Sequence, residues 1–239
     1  MLKKLKSVLK IPLFPLLLKA ACIFLLFTWL SVSPFKVYPL LAFIIFSILF
    51  YFLPLLNAFD FLGYFLIFLF GSLVTILSLT FSPLTLMIIF GLTVIFFLLI
   101  GAKNLNLSQQ SIFLLRSLLF LLIFLIFFSV DKSQLFFLKY LLLIIAIYIL
   151  FFGLFRGRPK QKLFALAFSF LSTQIIWAIG LLPIGFINQA SLALVFVLTI
   201  EEFSLLHFGG NFNYQNITKN LIIVIILIVF ILGLSKWNI

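Results

Sequence analysis

Long apolar runs of Leu, Ile, Phe and Val alternate with short polar breaks from one end of the chain to the other. Each run is about 17–25 residues long, the length that an α-helix needs to cross the hydrocarbon core of a bilayer. The runs predict about nine spans: 11–31, 38–56, 61–80, 84–101, 112–130, 135–155, 163–182, 188–207 and 221–237. Helices are expected because lipid supplies no partner for backbone N–H and C=O groups. Asn57-Ala58-Phe59-Asp60, Ser82-Pro83, Asp131-Lys132-Ser133-Gln134 and Pro183-Ile184-Gly185 punctuate the runs. The sharpest break is Arg156-Gly157-Arg158-Pro159-Lys160-Gln161-Lys162. A polar loop is expected from Ala102 to Gln110, with Lys103 inside it, and another from Gly209 to Asn216. The reading is an all-α, polytopic transmembrane helix bundle forming a single membrane domain with no soluble domain.

Composition agrees with the pattern. Of 239 residues, 66% are hydrophobic and 8% are charged, whereas a soluble domain carries roughly 25% charged residues. So much apolar surface needs an apolar solvent. A net charge of +12 would suggest nucleic acid in a soluble protein. Here the basic residues sit mainly between apolar runs, where they orient helices, and no nucleic-acid partner is expected. The 36 phenylalanines read as lipid-facing filler. Cys22 reads as a small hydrophobe, and with one cysteine and one histidine, His207, neither a disulfide nor a metal site is expected. No cofactor is implied.

Leu2, Leu5 and Leu9 share one helical face, and Lys3, Lys6 and Lys10 another. Residues 1–10 therefore read as a basic segment on an anionic membrane surface. With the N-terminus in the cytoplasm, the inner side collects Lys3, Lys4, Lys6, Lys10, Lys103, Arg156, Arg158, Lys160, Lys162 and Lys219. The outer side collects Lys36, Lys132 and Lys236. That bias predicts a multi-pass plasma (inner) membrane protein, N-terminus cytoplasmic and C-terminus outside.

Lys19, Arg116, Lys139, Glu201 and Glu202 fall inside the predicted spans. A charge at the bilayer centre costs at least about 2.5 kcal/mol. Lys139 and Arg116 lie near span ends, where snorkelling relieves that cost. Lys19 lies about 12 Å along its helix at 1.5 Å per residue. Two bases, Lys19 and Arg116, and two acids, Glu201 and Glu202, map to the inner leaflet with His207. They form the candidate ion-pair or substrate cluster. Span seven adds Gln174 and a stripe of Ser169, Thr173, Trp177 and Gly180, which reads as helix-packing surface or as the lining of a passage.

No catalytic residue is assigned. The run from Glu201 to His207 carries fragments similar to the motifs of CAAX-protease-like membrane enzymes, but Leu206 stands where that pattern has Arg, and a second histidine is missing. Three functions remain. One is a non-enzymatic membrane subunit or scaffold, with membrane lipids and a protein in the membrane as partners. The second is a transporter or lipid-translocating protein that uses the inner-leaflet charges. The third is an intramembrane enzyme with Glu201 or Glu202 as acid or base.

Overall fold

The computed structural model describes residues 13–53, 59–78, 83–105, 109–129, 136–158, 160–208 and 214–235. Each apolar run forms a helix within them: α1 (Leu13–Val32), α2 (Val37–Phe52), α3 (Leu62–Ser78), α4 (Pro83–Leu105), α5 (Gln109–Ser129), α6 (Phe136–Leu154), α7 (Gln161–Gly180), α8 (Phe186–Phe208) and α9 (Tyr214–Leu234). Seven of these are long and apolar enough to cross a membrane; α2 and α3 are apolar but shorter. The all-helical transmembrane architecture expected from the sequence is observed. The basic segment 1–10, the break at 131–134 and most of the loop at 209–216 lie outside the described residues.

The chain divides into two compact units, Met1–Leu119 and Phe120–Ile239. In the first, α1 packs on α2, α3 and α4, and α3 packs on both α2 and α4. Rings tie the four together. Phe27 of α1 lies 4.7 Å from Phe43 of α2 and 6.4 Å from Phe68 of α3, centroid to centroid. Phe68 in turn lies 5.5 Å from Phe96 of α4. In the second unit, each helix from α6 to α8 packs on its successor. Phe120 and Phe151 meet at 5.7 Å, and Phe151 and Phe155 both meet Phe168 of α7.

These rings correct the reading of phenylalanine as filler for lipid. Phe27, Phe43, Phe68, Phe96, Phe120, Phe124, Phe151 and Phe155 are fully buried inside their units. Helices in lipid gain little from hydrophobic burial against each other and associate through packing; offset and edge-to-face ring pairs supply it. Other phenylalanines, including Phe35, Phe70, Phe90 and Phe137, do face outward. On α9 no residue of Ile217–Leu234 is buried.

Three boundaries differ from expectation. The second span stops at Phe52, with Leu53 already extended at φ −101°, ψ 114°. Pro54 is the reason, since a residue before proline is driven out of the α region. Next, α4 runs through Lys103 to Leu105, so Lys103 is helical and not in a loop. Finally, α9 begins at Tyr214 and takes in Asn216, Lys219 and Asn220, polar residues that helix termini tolerate.

The break between α6 and α7 is built on two left-handed residues, Gly157 at φ 77° and Lys160 at φ 57°. The Gln161 side chain donates to Phe152 O at 2.8 Å and closes the end of α6. A Cβ at position 157 would meet nothing within 4 Å, so the cost of Gly157→Ala is conformational alone. We expect a loss of about 1 kcal/mol, the usual penalty for a left-handed L-residue, measured by reversible unfolding in mixed micelles.

Candidate functional site: two lysines at an interrupted helix

At 16 residues, α2 is about 24 Å long at 1.5 Å per residue, shorter than the roughly 30 Å hydrocarbon core. A helix leaves its last four carbonyls without intrahelical partners, and inside a bilayer no water replaces them. The partner of Phe50 O in a continued helix would be the N–H of residue 54. That residue is proline and has none.

Two lysines from neighbouring helices fill this deficit. Lys19 of α1 donates to Phe50 O at 3.2 Å and to Leu53 O. Lys103, at the end of α4, donates to Tyr51 O. Each ammonium also lies over a ring of α2: Lys19 Nζ is 5.8 Å from the Phe50 centroid, and Lys103 Nζ is 4.9 Å from that of Tyr51. Tyr51 is fully buried and stacks on Phe65 of α3 at 4.1 Å. Lys103 is only 1% exposed. Cations are favoured at a helix C-terminus, where the macrodipole is negative, and charge-assisted bonds are about twice as strong as neutral ones. The arrangement is a two-lysine cap on a helix cut short by proline. It leaves one of the three Lys19 N–H donors beyond these two bonds.

Of the six residues singled out from the sequence, Lys19 and Arg116 belong to the first unit, and Gln174, Glu201, Glu202 and His207 to the second. Arg116 and Glu201 are buried, Lys19 is half-buried, and Gln174, Glu202 and His207 are exposed. Adjacent helical residues point about 100° apart, which separates the two glutamates: Glu201 turns into α8's packed face while Glu202 turns outward. There Asn220 of α9 donates to Glu202 Oε1 at 2.8 Å, linking two consecutive helices. The polar stripe on α7 is packing surface. Ser169, Ser172, Thr173 and Gly180 are buried, while Ser169 and Thr173 return their hydroxyl protons to Leu166 O and Ser169 O. Trp177 and Gln174 fall off that face.

A second site lies at the ends of three helices. Phe127 and Phe128 of α5, Lys139 and Tyr140 of α6, and Trp177 and Gly180 of α7 line a cleft of ≈ 80 Å³. Lys139 Nζ sits 4.3 Å from the Phe127 centroid, and Phe127 meets Tyr140 edge to face at 5.1 Å.

Comparison with protein-family models, with curated proteins and with solved structures finds no match. The reading of the chain rests on its own geometry. Within that geometry, sequence reasoning missed Lys103 and Gln189. The latter is buried at the start of α8 and donates to Leu182 O at 2.9 Å across the α7–α8 turn. The signal for Lys103 was Pro54, which announces an orphan carbonyl; Gln189, one turn past Pro183-Ile184-Gly185, had a comparable signal in its position after the break.

Proposed function

We propose that this chain is a non-enzymatic subunit or scaffold of a plasma membrane assembly. The supporting observation is how the intramembrane charges are used: Lys19 and Lys103 bond the backbone of α2, and Glu202 bonds Asn220. Such charges are ordinarily functional; here these bonds serve to hold helix ends and helix pairs. The span Ile217–Leu234 of α9, of which no residue is buried, gives the chain an apolar helix face available to a neighbour in the bilayer. The excess of Lys and Arg in one set of polar breaks of the sequence supports a cytoplasmic N-terminus and a C-terminus outside.

Transport is the second reading, favoured by the helix break at Leu53 facing two ammonium groups. Interrupted helices of this kind bind ions and substrates in transporters. Gentle extraction with native lipid, followed by mass measurement of the intact particle, separates the two. The scaffold reading expects a stoichiometric protein partner. A lone chain that moves a solute across vesicles, and loses that transport but not its fold on Lys19→Met, would replace it with transport.

A further inference from the structure

The interrupted end of α2 brings an ammonium to the outer surface of the first unit. We propose that Lys19 holds the phosphate of an anionic phospholipid there. Its Nζ donates to Phe50 O and Leu53 O, and an ammonium has three N–H groups. Tetrahedral geometry turns the third away from those two carbonyls. The Lys19 side chain is half-buried and Leu53 beside it is 60% exposed, so the ammonium has an outward side as well as a packed one. Lys103 differs in this respect: it is enclosed and contributes its charge alone.

Charge and depth both fit a phosphate. Residues 1–119 carry eight bases and one acid, Asp60, which lies in the break between α2 and α3. Lys19, Lys103 and Asp60 together leave net positive charge at this end of the unit. Lys19 lies six residues into α1 from Leu13, about 9 Å at 1.5 Å per residue. Helical side chains lean toward the N-terminus of their helix, so the lysine stem recovers much of that depth and carries the ammonium toward the headgroups.

The surface below the ammonium describes the rest of the ligand. Lys19 Nζ stands over the Phe50 ring, and the rings of Phe50 and Phe46 lie 5.7 Å apart. Phe46, Leu49 and Leu53 are exposed and share a face of α2 at spacings of three and four. An apolar strip thus runs from the ammonium along the outside of the helix, where an acyl chain can lie. A soluble anion matches the charge and not the strip; a lipid without net charge matches the strip and not the charge.

The variants separate lipid binding from capping. Lys19→Met removes the ammonium but also uncovers Phe50 O. In a Pro54→Ala background, alanine offers an N–H in its place, so the fold is kept while the charge is lost. Lys19→Arg keeps charge and donors. Lys36→Gln serves as a control, because Lys36 caps the start of α2, the opposite end from Leu53.

The test uses the full chain in detergent, titrated with phosphatidylglycerol, with phosphatidylcholine of the same acyl chains, and with inorganic phosphate alone, bound species being read by native mass spectrometry. The expected result is preferential retention of phosphatidylglycerol by the native chain and by Pro54→Ala. Adding Lys19→Met to Pro54→Ala should weaken it about tenfold, or 1.4 kcal/mol, while Lys19→Arg and Lys36→Gln leave it in place. Displacement of the lipid by inorganic phosphate would uphold the phosphate chemistry and assign its source to the soluble anion. Equal binding of the two lipids, or equal losses from the Lys19 and Lys36 variants, would overturn the site. If the double variant fails to fold, Lys19→Gln, which keeps a donor for Phe50 O, decides against Lys36→Gln. None of these outcomes depends on whether the chain is a scaffold or a transporter.

Discussion

Lys103→Met is expected to destabilise the protein by about 3 kcal/mol, the upper end for removing a charged donor from a buried acceptor. Methionine keeps an unbranched apolar stem of similar reach, so packing around Tyr51 is largely preserved. What is lost is the bond to Tyr51 O and the ammonium over the Tyr51 ring. The carbonyl left behind is buried beside an interrupted helix, where water cannot take the lysine's place. Reversible unfolding in mixed micelles, followed by tryptophan fluorescence, measures the loss. Lys103→Gln, which keeps a donor but no charge, should recover part of it. A change within about 0.5 kcal/mol, the range of ordinary surface substitutions, would mean that Lys103 does not cap α2.

The second large effect concerns Lys19, and its partner is a residue that Lys19 need not touch. Phe50 O accepts from Lys19 because Pro54 has no N–H to offer it. Lys19→Met should therefore cost about 2 kcal/mol, within the range for hydrogen bonds to charged groups. In a Pro54→Ala background the cost should fall, because alanine restores the N–H that a continued helix would direct at Phe50 O. The pair of substitutions forms a double-mutant cycle, and its interaction energy isolates the replacement of a backbone donor by a side chain.

Much of this architecture was legible in the amino-acid sequence. Nine apolar runs became helices because the length of a span is dictated by the bilayer, and hydropathy reads that length directly. The failures share a cause. The hydropathy pattern treats a lysine beside an apolar run as the end of a span, so Lys103 read as loop, although its ammonium reaches the backbone of a neighbouring helix. It treats Leu53-Pro54-Leu55-Leu56 as more apolar run, although the helix ends at Phe52, two residues before the proline. Lys19 was recognised as costly in lipid, but its acceptors were carbonyls, which every residue carries and no sequence pattern marks. The sequence displays only side-chain charge, and on that ground alone Lys19 groups with Glu201 and Glu202.

The phenylalanines illustrate the same limit. Composition cannot distinguish Phe27 and Phe68, buried and in ring contact, from Phe70 and Phe90, which face outward. Only the helical register against particular neighbours separates them. The α7 stripe was read more successfully. Its recurrence of small and polar residues gave a packed face, and it failed only at Trp177, where a spacing of four outruns the 3.6-residue turn and carries the ring off the interface.

The most direct test of the account is the cycle of Lys19→Met and Pro54→Ala, measured as unfolding free energies in the same micelles. The account predicts an interaction energy of about 1 kcal/mol or more, with Lys19→Met less costly once alanine stands at 54. Additive effects within about 0.3 kcal/mol would contradict it, and would mean that Lys19 lies in the membrane for a reason other than the broken helix beside it.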